Sequence, residues 1–496
     1  MSQSEFSALI MAAGKGTRMV STTAKVLHEV AGKPMLTRVI DNARRSGASS
    51  IYVIVGHEAE SVRSRISAED SEPRGVEWVL QEDQRGTGHA VIVSLDALAR
   101  GPGTVLILSG DVPLLQARTL EEFVSRHFET GRQASLMTCR PKDATGYGRI
   151  LRSDSGAFTG IVEHRDATPQ ERDLREINSG VYLFDREVLT IYGKRLTTEN
   201  AQGEYYLTDI FSLMVKDDIE VDAIDCEAAE ELLGINDRVD LAVAERILYR
   251  RNCLRHMRAG VTIRDPDHTD IGDDVEIGTD TVIGISTSLS SKTRIGSRCM
   301  IDNHVTISNS EIGDGTHVKP YSLIVDSEIG ENCSIGPCTH LRPGSDIQDR
   351  AKVGNFVEIK KSVIGPGSKV SHLSYIGDAS LGRGVNVGAG TITCNYDGQA
   401  KHKTIIGDDV FIGSDSVLVA PVTLGNRSYV AAASVITRDV PEEALAIARG
   451  RQVNKPGYRI FLENKLGLSA LKPASTAPVS PSPDSADAGK QDPDGI

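Results

Sequence analysis

Hydrophobic positions divide the chain into two parts with different periods. Up to residue 236, short aliphatic runs alternate with segments of helical spacing, which predicts strands at Phe6–Ala12, Ser50–Val55 and Thr104–Leu108 and a helix at Pro34–Ser46. Glycine-containing turns follow these strands. This alternation is typical of an α/β, Rossmann-like domain with a largely parallel sheet, whose ligands bind at the carboxyl ends of the strands.

From residue 271 onward, an aliphatic residue recurs every six positions. The first series runs from Ile271 to Ile307, continues after one-residue shifts to Ile376, and resumes from Ile406 to Ile436. Neither an α-helix, with period 3.6, nor a half-buried strand, with period 2, has this repeat. Hexapeptide repeats predict a left-handed parallel β-helix, with about 18 residues per coil and about ten coils over residues 262–440. Such a solenoid could also serve only as a spacer or an oligomerisation module.

These patterns predict five segments. A polar stretch at 393–404 interrupts the hexads, and insertions in solenoids often carry the binding function. Val239, Val243, Ile247 and Leu254 stand at helical spacing in the predicted linker. The segments are an α/β domain at 1–236, a helical linker at 237–260, a β-helix domain at 261–449, a C-terminal extension at 450–468, and a tail at 469–496 expected to be disordered.

Composition limits the classes of function. Aromatic residues make up 4% of the 496 residues, so the core must be mainly aliphatic. The net charge of −13 argues against a broad interface with nucleic acid or an anionic membrane. Because no apolar run is long enough to span a bilayer and no secretory signal pattern is present, we expect a soluble, cytoplasmic protein without membrane insertion. The seven scattered cysteines predict reduced thiols rather than a disulfide framework or a zinc site.

The turn after the first predicted strand carries residues suited to phosphate binding. Gly14 and Gly16 allow backbone N–H groups to approach phosphate oxygens, and Arg18 and Lys25 can neutralise the charge that develops when pyrophosphate leaves. The spacing matches neither the dinucleotide-binding fingerprint nor the Walker loop, so a generic glycine-rich turn remains an alternative.

Polar residues at other strand ends extend this candidate site. Gln81 and the Gly86–Ala90 turn offer an amide and backbone donors to a nucleobase. Asp111 offers a carboxylate to Mg²⁺, although a strand-end aspartate is often a helix cap. Sugar hydroxyls or a metal could bind at Thr145–Arg149, Ile161–His164, Glu176–Gly180 and Gly234–Asp237.

Together these motifs resemble a known family. Ala12–Met19 with Lys25, Gly110–Leu114 and Glu176–Gly180 are similar to nucleotidyltransferases that make nucleoside diphosphate sugars. With the solenoid added, residues 1 to about 458 resemble the bacterial bifunctional N-acetylglucosamine-1-phosphate uridyltransferase and glucosamine-1-phosphate N-acetyltransferase. The resemblance implies acetyl transfer from acetyl-CoA to glucosamine-1-phosphate, and then uridylyl transfer from UTP with release of pyrophosphate. The product would feed peptidoglycan and lipopolysaccharide precursors.

The resemblance also assigns roles in uridylyl transfer. It implies that Arg18 and Lys25 are catalytic and that Asp111 and Asn236 bind Mg²⁺. Binding of UTP and UDP-N-acetylglucosamine is implied for Met11, Ala12, Ala13, Gly14, Lys25, Gln81, Gly86, Thr87, Gly146, Glu163, Asn178 and Asn236.

Acetyl transfer from a thioester to an amine needs a base for the ammonium proton. His372 is the best candidate, and Glu358 could fix its tautomer; a surface histidine is the alternative. Lys360 and His372 are expected on different faces of adjacent coils, so a shared site is most easily built between subunits. The resemblance implies a homotrimer through the β-helix. It implies glucosamine-1-phosphate binding by Arg342, Lys360, Tyr375, Asn386 and Lys401, and acetyl-CoA binding by Ala389, Asn395, Tyr396, Ser414, Ala432 and Arg449.

Two other functions fit the same sequence. One is a monofunctional sugar-phosphate nucleotidyltransferase whose β-helix only trimerises. The other is a noncatalytic scaffold that binds nucleotide sugars as a sensor. His372 with Lys401 argues against the first, and Lys25, Asp111 and Asn236 argue against the second.

Overall fold

The computed structural model describes residues 5–56, 58–69 and 76–467, which fall into two compact units. The first unit contains the chain up to Arg258 together with Asp265–Asp273. The second contains Ala259–Arg264 and the described chain from Asp274 onward. The tail predicted at 469–496 lies outside the described residues.

The first unit is built on a mixed β-sheet. The strands of this unit are β1 (Phe6–Met11), β2 (Glu29–Val30), β3 (Lys33–Pro34), β4 (Ser50–Val55), β5 (Val76–Leu80), β6 (Thr104–Ser109), β7 (Ala134–Cys139), β8 (Arg149–Arg152), β9 (Phe158–Val162), β10 (Ile177–Asp185) and β11 (Asp222–Asp225). The sheet order is β11-β7-β10-β6-β1-β4-β5; β8 joins β9 to β10, and β2 and β3 form a separate hairpin. Strand β1 is parallel to β4 and β6, whereas β10 is antiparallel to β6 and β7.

Helices cover both faces of this sheet. They are α1 (Met35–Arg45), α2 (Ala59–Glu69), α3 (Thr87–Leu98), α4 (Ala117–Thr130), α5 (Pro169–Arg172), α6 (Arg186–Gly193), α7 (Asp209–Lys216) and α8 (Arg238–Arg258), with 3₁₀ turns at Thr17–Met19, Lys25–Leu27 and Ala229–Leu232. Along β1, Ala8 and Ile10 pack in one apolar cluster with residues of α1, α2 and α4, whereas Leu9 packs in another with residues of α3, α6 and α7. The predicted α/β domain is therefore confirmed.

Helix α8 forms where a helical linker was predicted, and not all of its regularly spaced apolar residues are buried. Val239 and Val243 are 72% and 49% exposed. Ala244, Leu248 and Cys253 are buried instead, and the first two join the apolar cluster around Val30 and Met35 of the same unit. Ile247 of the regularly spaced series packs against the same cluster, so helical spacing identified the helix but not the residues of its buried face.

The second unit is a parallel β-helix with three sheets. The first sheet contains Thr262–Ile263, Val282–Ile283, Met300–Ile301, His317–Val318, Ser334–Ile335, Lys352–Asn355, Lys369–His372, Asn386–Val387, Phe411–Ile412, Tyr429–Val430 and Leu445–Ala446. The second contains Ser288–Ser290, Thr306–Ser308, Leu323–Val325, His340–Leu341, Glu358–Lys360, Tyr375–Gly377, Ile392–Cys394, Val417–Val419 and Val435–Ile436. The third contains Glu276–Ile277, Arg294–Ile295, Glu311–Ile312, Ser327–Ile329, Ser345–Ile347, Val363–Ile364, Ala379–Leu381, Thr404–Ile406 and Val422–Leu424. Helix α9 (Tyr458–Leu466) follows the last coil.

The hexad residues form the core of this β-helix, as predicted. All are buried except Ile277, which is partly exposed. Most of them pair with their counterparts in the next coil, as Ile283 does with Ile301 and Ile335 with Val353. The hexads also continue where the sequence showed none, through Leu381, Val387 and the buried Thr393. The repeat is consistent with the left-handed β-helix typical of hexapeptide proteins.

From Val282 onward, every change in coil length falls at one corner. Core residues are six apart from the third sheet to the first and from the first to the second, as in Ile364, Val370 and Ile376. From the second sheet to the third the step shortens to five, as from Ile376 to Leu381, or lengthens by the polar insertion between Cys394 and Thr404. The insertion therefore leaves the ladders of all three sheets intact.

All seven cysteines are free thiols, as expected, and Cys139, Cys253, Cys299 and Cys333 are buried. Within the described residues, no helix is long and apolar enough to cross a membrane.

Candidate active sites

A cleft of about 530 Å³ opens at the carboxyl ends of β1 and β6 in the first unit. The sequence-predicted residues that line it are Met11, Ala12, Ala13, Gly14, Arg18, Lys25, Gln81, Gly86, Thr87, Asp111 and Asn236. Three predicted residues, Gly146, Glu163 and Asn178, are outside this lining.

The charged groups of the cleft converge on two oxygens. The Lys25 ammonium lies 2.5 Å from Asp111 Oδ2 and 3.2 Å from Asn236 Oδ1. Arg18 Nη2 donates to the same Asn236 oxygen over 2.7 Å. Three segments of the chain therefore meet at one point: the glycine-rich turn, the end of β6 and the loop before α8. Up to 218 positions separate them in the chain.

Hydrogen bonds fix the two segments that carry these oxygens. Ile235 N donates to Asp111 O over 3.0 Å, which joins the loop before α8 to the end of β6. Asn236 Nδ2 donates to Gly234 O over 3.2 Å, which turns Oδ1 toward Lys25. Asp240 accepts from Asn236 N, and the Tyr147 hydroxyl accepts from Gly234 N. The sequence analysis gave Asp240 no role.

This donor set fits a magnesium ion. One carboxylate oxygen and one amide oxygen already attract a cationic group, and Mg²⁺ typically takes one or two protein oxygens together with phosphates and water. Among the described residues, no group of three or more His, Cys, Asp and Glu side chains is placed to hold a metal ion. Asp111 and Asn236 would therefore need oxygens from a ligand to complete the coordination.

The turn that we assigned to the nucleobase is tightly built. Gln81 is buried, and its amide nitrogen donates to Gly86 O over 3.2 Å. Gly86 has φ +105°, and a Cβ there would lie 2.5 Å from Tyr205 O, so only glycine fits. Thr87 Oγ1 accepts from Leu207 N over 3.1 Å. The 204–207 segment thus packs onto this turn.

Glu163 directly follows β9, and Asn178 lies in β10; strand β8 pairs with both of these strands. Thr208 Oγ1 donates to Glu163 over 2.9 Å, and burial raises the pKa of this carboxyl. Asn178 Nδ2 donates to the Tyr182 hydroxyl over 2.7 Å, and Asn178 N donates to Gly148 O. Gly146, with φ +83°, lies in the turn before β8.

Gln84 and Glu204 also line the cleft, and the sequence analysis missed both. Gln84 Nε2 donates to Ala13 O over 2.6 Å and so supports the glycine-rich turn. Its position three residues after Gln81, at the end of β5, was a usable signal. Glu204 comes from a distant loop without a regular pattern, so no sequence signal pointed to it.

In the second unit, one corner collects residues from five coils. His372 is the last residue of its strand in the first sheet, at the turn toward the second sheet. At the same turn in later coils, the residues that follow first-sheet strands include Ala389, Ser414, Ala432 and Arg449. Asp415 N donates to Ala389 O over 2.7 Å, and Ala433 N donates to Ser414 O over 2.8 Å. Arg449 Nη1 donates to Ala432 O over 3.1 Å. The predicted base and four predicted acetyl-CoA residues therefore form a single column.

His372 is oriented by a residue that we had not predicted. Its Nδ1 lies 2.6 Å from Asn355 Oδ1, and the two residues pair across adjacent strands. With that oxygen as acceptor, Nδ1 carries the proton and Nε2 is left with a free lone pair. Glu358 instead accepts from Arg342 Nη1 over 2.7 Å. The expectation that Glu358 fixes the tautomer was wrong, because the strand register places Asn355 there.

Three cationic side chains gather on the second sheet. The ammonium of Lys401 lowers the pKa of Lys360, and Arg342 adds to the effect. Tyr375 lies opposite Glu358 in the ladder, and its hydroxyl would be 2.5 Å from a Cβ on Gly377. Lys401 belongs to the polar insertion, so the insertion brings a charge to the sheet.

The remaining predicted residues lie nearby in the fold. Asn386 pairs with Phe411 on the first sheet, in the strand that leads to Ala389. Asn395 is buried and donates to Asp378. Tyr396 is exposed, and its hydroxyl donates to Gly398 O over 2.7 Å.

Two family models match the chain. That of nucleotidyl transferases matches residues 7–229, and that of the bacterial transferase hexapeptide (six repeats) matches residues 326–361 and 403–438. The gap between the hexapeptide matches contains Thr393 and the polar insertion.

Curated relatives described as bifunctional protein GlmU are similar to nearly the whole chain. The protein from Trichlorobacter lovleyi is 49% identical over 451 residues, which cover 91% of this chain and 97% of the relative. That from Pelobacter propionicus is 47% identical over 458 residues, covering 92% and 99%. That from Halalkalibacterium halodurans is 48% identical over 451 residues, covering 91% and 98%. The chain belongs to the family of the bifunctional protein GlmU.

Proposed function

We propose that this chain catalyses two reactions that lead to UDP-N-acetylglucosamine. The second unit acetylates glucosamine-1-phosphate with acetyl-CoA, and the first unit joins the product to UMP from UTP. The observation that carries this proposal is that one chain contains two separate sets of reacting groups. Lys25, Asp111 and Asn236 converge in one unit, and His372 with Lys360 and Lys401 occurs in the other.

In uridylyl transfer, a phosphate oxygen of N-acetylglucosamine-1-phosphate attacks the α-phosphorus of UTP, and the bond to pyrophosphate breaks. The protein positions the reactants and stabilises charge, without a covalent intermediate. Arg18 and Lys25 neutralise the departing pyrophosphate, while Gln81 and the Gly86 turn hold the base. Asp111 and Asn236 hold Mg²⁺, which when bound supplies positive charge to the phosphates. Glu163, Asn178 and Gly146 bind the sugar.

In acetyl transfer, the amine of glucosamine-1-phosphate attacks the thioester carbonyl and CoA leaves as the thiol. The amine must first lose a proton, and His372 Nε2 is the free lone pair that accepts it. Arg342, Lys360 and Lys401 bind the phosphate, together with Tyr375 and Asn386. Acetyl-CoA lies along the column from Ala389 to Arg449, with Asn395 and Tyr396 beside the acetyl group.

We propose that the chain is a homotrimer through its β-helix. The residues that follow His372 and its counterparts have positive φ, and among them Tyr321, Phe356 and Leu373 are 63%, 59% and 61% exposed. His304 stacks on Tyr321 with ring centroids 5.1 Å apart. A row of exposed apolar side chains favours burial against another copy. Such packing would complete the acetylation site between subunits. UTP and acetyl-CoA are cytoplasmic metabolites, so the cytoplasm is the proposed compartment.

The experiment follows the two products separately. Purified protein receives glucosamine-1-phosphate, acetyl-CoA, UTP and Mg²⁺, while free CoA and pyrophosphate are measured. We expect both. We further expect His372→Ala to lower CoA release by about 10²-fold or more, because it removes the general base. The same variant should keep normal pyrophosphate release from N-acetylglucosamine-1-phosphate.

The outcomes distinguish the three functions. Pyrophosphate without CoA would indicate a monofunctional nucleotidyltransferase with a structural β-helix. Neither product would indicate a nucleotide-sugar sensor. Equal loss of both activities in the His372 variant would contradict the assignment of two sites.

A further inference from the structure

The polar insertion forms a small hairpin that carries Lys401. We call residues 395–403 the insertion hairpin. Tyr396 and Lys401 pair as an antiparallel bridge, and Asp397 N donates to Ala400 O over 3.2 Å to close the turn. The hairpin leaves the second sheet after Cys394 and re-enters the third sheet at Thr404.

One carboxylate organises this hairpin. Asp397 Oδ1 accepts from Gln399 N over 2.8 Å and from Ala400 N over 2.7 Å. Its other oxygen, Oδ2, lies 2.7 Å from His402 Nε2. Lys401 stands between Ala400 and His402, so Asp397 contacts the residues on both sides of it. The hydrogen bonds from Ala400 N and His402 hold the pKa of Asp397 well below its usual range.

The base of the hairpin is attached to the strand that contains Lys360. His402 N donates to Asn395 O over 2.8 Å, and the buried Asn395 donates to the carboxylate of Asp378. Asp378 N donates in turn to Lys360 O over 3.1 Å. A continuous series of hydrogen bonds therefore runs from Asp397 to the backbone of Lys360.

This series holds together two groups that repel each other. The ammonium of Lys401 is the largest cause of the lowered pKa of Lys360; Lys401 is exposed and Lys360 is partly exposed. Like charges in water separate unless something keeps them together. The fixed backbone of the hairpin supplies that constraint, and two adjacent ammonium groups form a site for a doubly charged phosphate.

We propose that Asp397 and His402 are positioning residues that hold Lys401 beside Lys360 for the phosphate of the acetyl acceptor. The role rests on the proposed acetylation of glucosamine-1-phosphate. Neither side chain need touch substrate. Their loss should therefore weaken phosphate binding more than it slows the chemical step.

The kinetic test separates KM from kcat in the full-length enzyme. We expect Asp397→Ala to raise KM for glucosamine-1-phosphate about 10-fold while kcat of CoA release stays within about twofold. Asp397→Asn should cost about threefold, because its amide oxygen still accepts the two backbone N–H groups but the charge is lost. His402→Ala should also cost about threefold. Adding Lys401→Ala to Asp397→Ala should cause little further loss, since the two act together.

A second measurement does not depend on activity. Each protein is treated with limiting acetic anhydride, and labelling of Lys360 relative to Lys369 is measured by peptide mass spectrometry. A lowered pKa leaves more of the Lys360 amine neutral and reactive. Asp397→Ala, Asp397→Asn and Lys401→Ala should therefore reduce the labelling ratio. Gln399→Ala is the matched control, because it changes a side chain of the same hairpin but keeps the backbone N–H.

The results distinguish this proposal from the proposed function. An unchanged labelling ratio and an unchanged KM in Asp397→Ala would overturn the positioning role. If Asp397→Ala loses uridylyl transfer as well, it is misfolded, and Asp397→Asn and His402→Ala decide the question by the same two readouts. A reduced labelling ratio in a protein that never releases CoA would support the positioning role and contradict the acetylation.

Discussion

Glu163 is a carboxylate of the first unit whose charge is disfavoured by its surroundings. Burial raises its pKa, and the hydrogen bond from Thr208 offsets only part of that effect. A carboxyl group with a raised folded-state pKa keeps its proton in the folded protein at a pH where the unfolded chain has lost it. Its contribution to stability is therefore present at low pH and is lost as pH rises above the ordinary carboxyl value.

Glu163→Gln tests this effect. Glutamine keeps an acceptor for Thr208 and cannot ionise, so we expect a higher unfolding temperature than that of the wild type at pH 8, with the difference shrinking toward pH 5. KM for N-acetylglucosamine-1-phosphate should rise about 10-fold if the carboxylate accepts a sugar hydroxyl. Thermal unfolding at both pH values checks the first expectation. A stability difference that does not change with pH would contradict it.

Sequence reasoning at this scale succeeded where a residue type has few uses. Lys25, Asp111 and Asn236 were selected by motif, and the structure brings their side chains into contact. It failed for the orienting partner of His372, because Asn355 and Glu358 are both polar residues close in sequence. Only the strand register, which pairs Asn355 with His372, separates them.

At the scale of the strand, coils of the β-helix approach closely beside the proposed base. Gly354 lies in the strand Lys352–Asn355, and a Cβ on it would lie 1.9 Å from Ser371 O in the strand Lys369–His372. Asn355 and His372 are the last residues of these two strands and pair with each other. A side chain at Gly354 must therefore push apart the strands that hold the imidazole.

We expect Gly354→Ala to lower the free energy of unfolding of the solenoid by about 2–4 kcal/mol, because the backbone cannot move aside without losing ladder hydrogen bonds. Turnover in acetyl transfer should fall about 10-fold or more as His372 loses its orientation. Denaturant unfolding and CoA release measure both effects. Gly450→Ala, whose Cβ would meet nothing within 4 Å, should leave unfolding unchanged. Normal activity in Gly354→Ala would contradict the role of the Asn355 contact.

Most elements could be predicted because their patterns are strict. The hexads identify the β-helix because the core position of almost every strand is aliphatic. Thr393 breaks the pattern because its hydroxyl accepts from Gly377 N over 2.8 Å, so a polar residue occupies a core position without an unpaired group. Helical spacing alone does not identify the buried face of α8: Val239 and Val243 are exposed, and apolar residues on a surface look the same in sequence as those in a core.

At the scale of the whole molecule, each unit contains its own reacting groups. Removal of Mg²⁺ with EDTA should abolish pyrophosphate release and leave CoA release unchanged, because Asp111 and Asn236 belong to the first unit alone. Assays of each half-reaction with its own substrates check this expectation. Equal inhibition of both half-reactions by EDTA would contradict it.

The family comparison and the chain-wide pattern of the sequence agree on two catalytic folds, and the net charge of −13 is not an obstacle to phosphate substrates. Phosphate binding depends on local clusters of positive charge such as Lys360 with Lys401, not on the net charge of the whole chain. The family resemblance assigned Lys401 and Lys360 to one phosphate, but spacing alone does not show their pairing, because 41 positions and an irregular hairpin separate them.

From Val282 onward, coil length in the β-helix changes at one corner only, so the axial distance between two side chains depends on the number of coils between them. Position along its axis is counted in coils of about 4.8 Å, whatever number of residues each coil contains. His372 and Arg449 are thus separated by four steps, about 19 Å, although they are 77 positions apart in the chain. Additional residues can therefore be inserted at the corner between the second and third sheets. A guest loop placed after Ser290 would extend from the molecule without altering the spacing of any other side chain along the column.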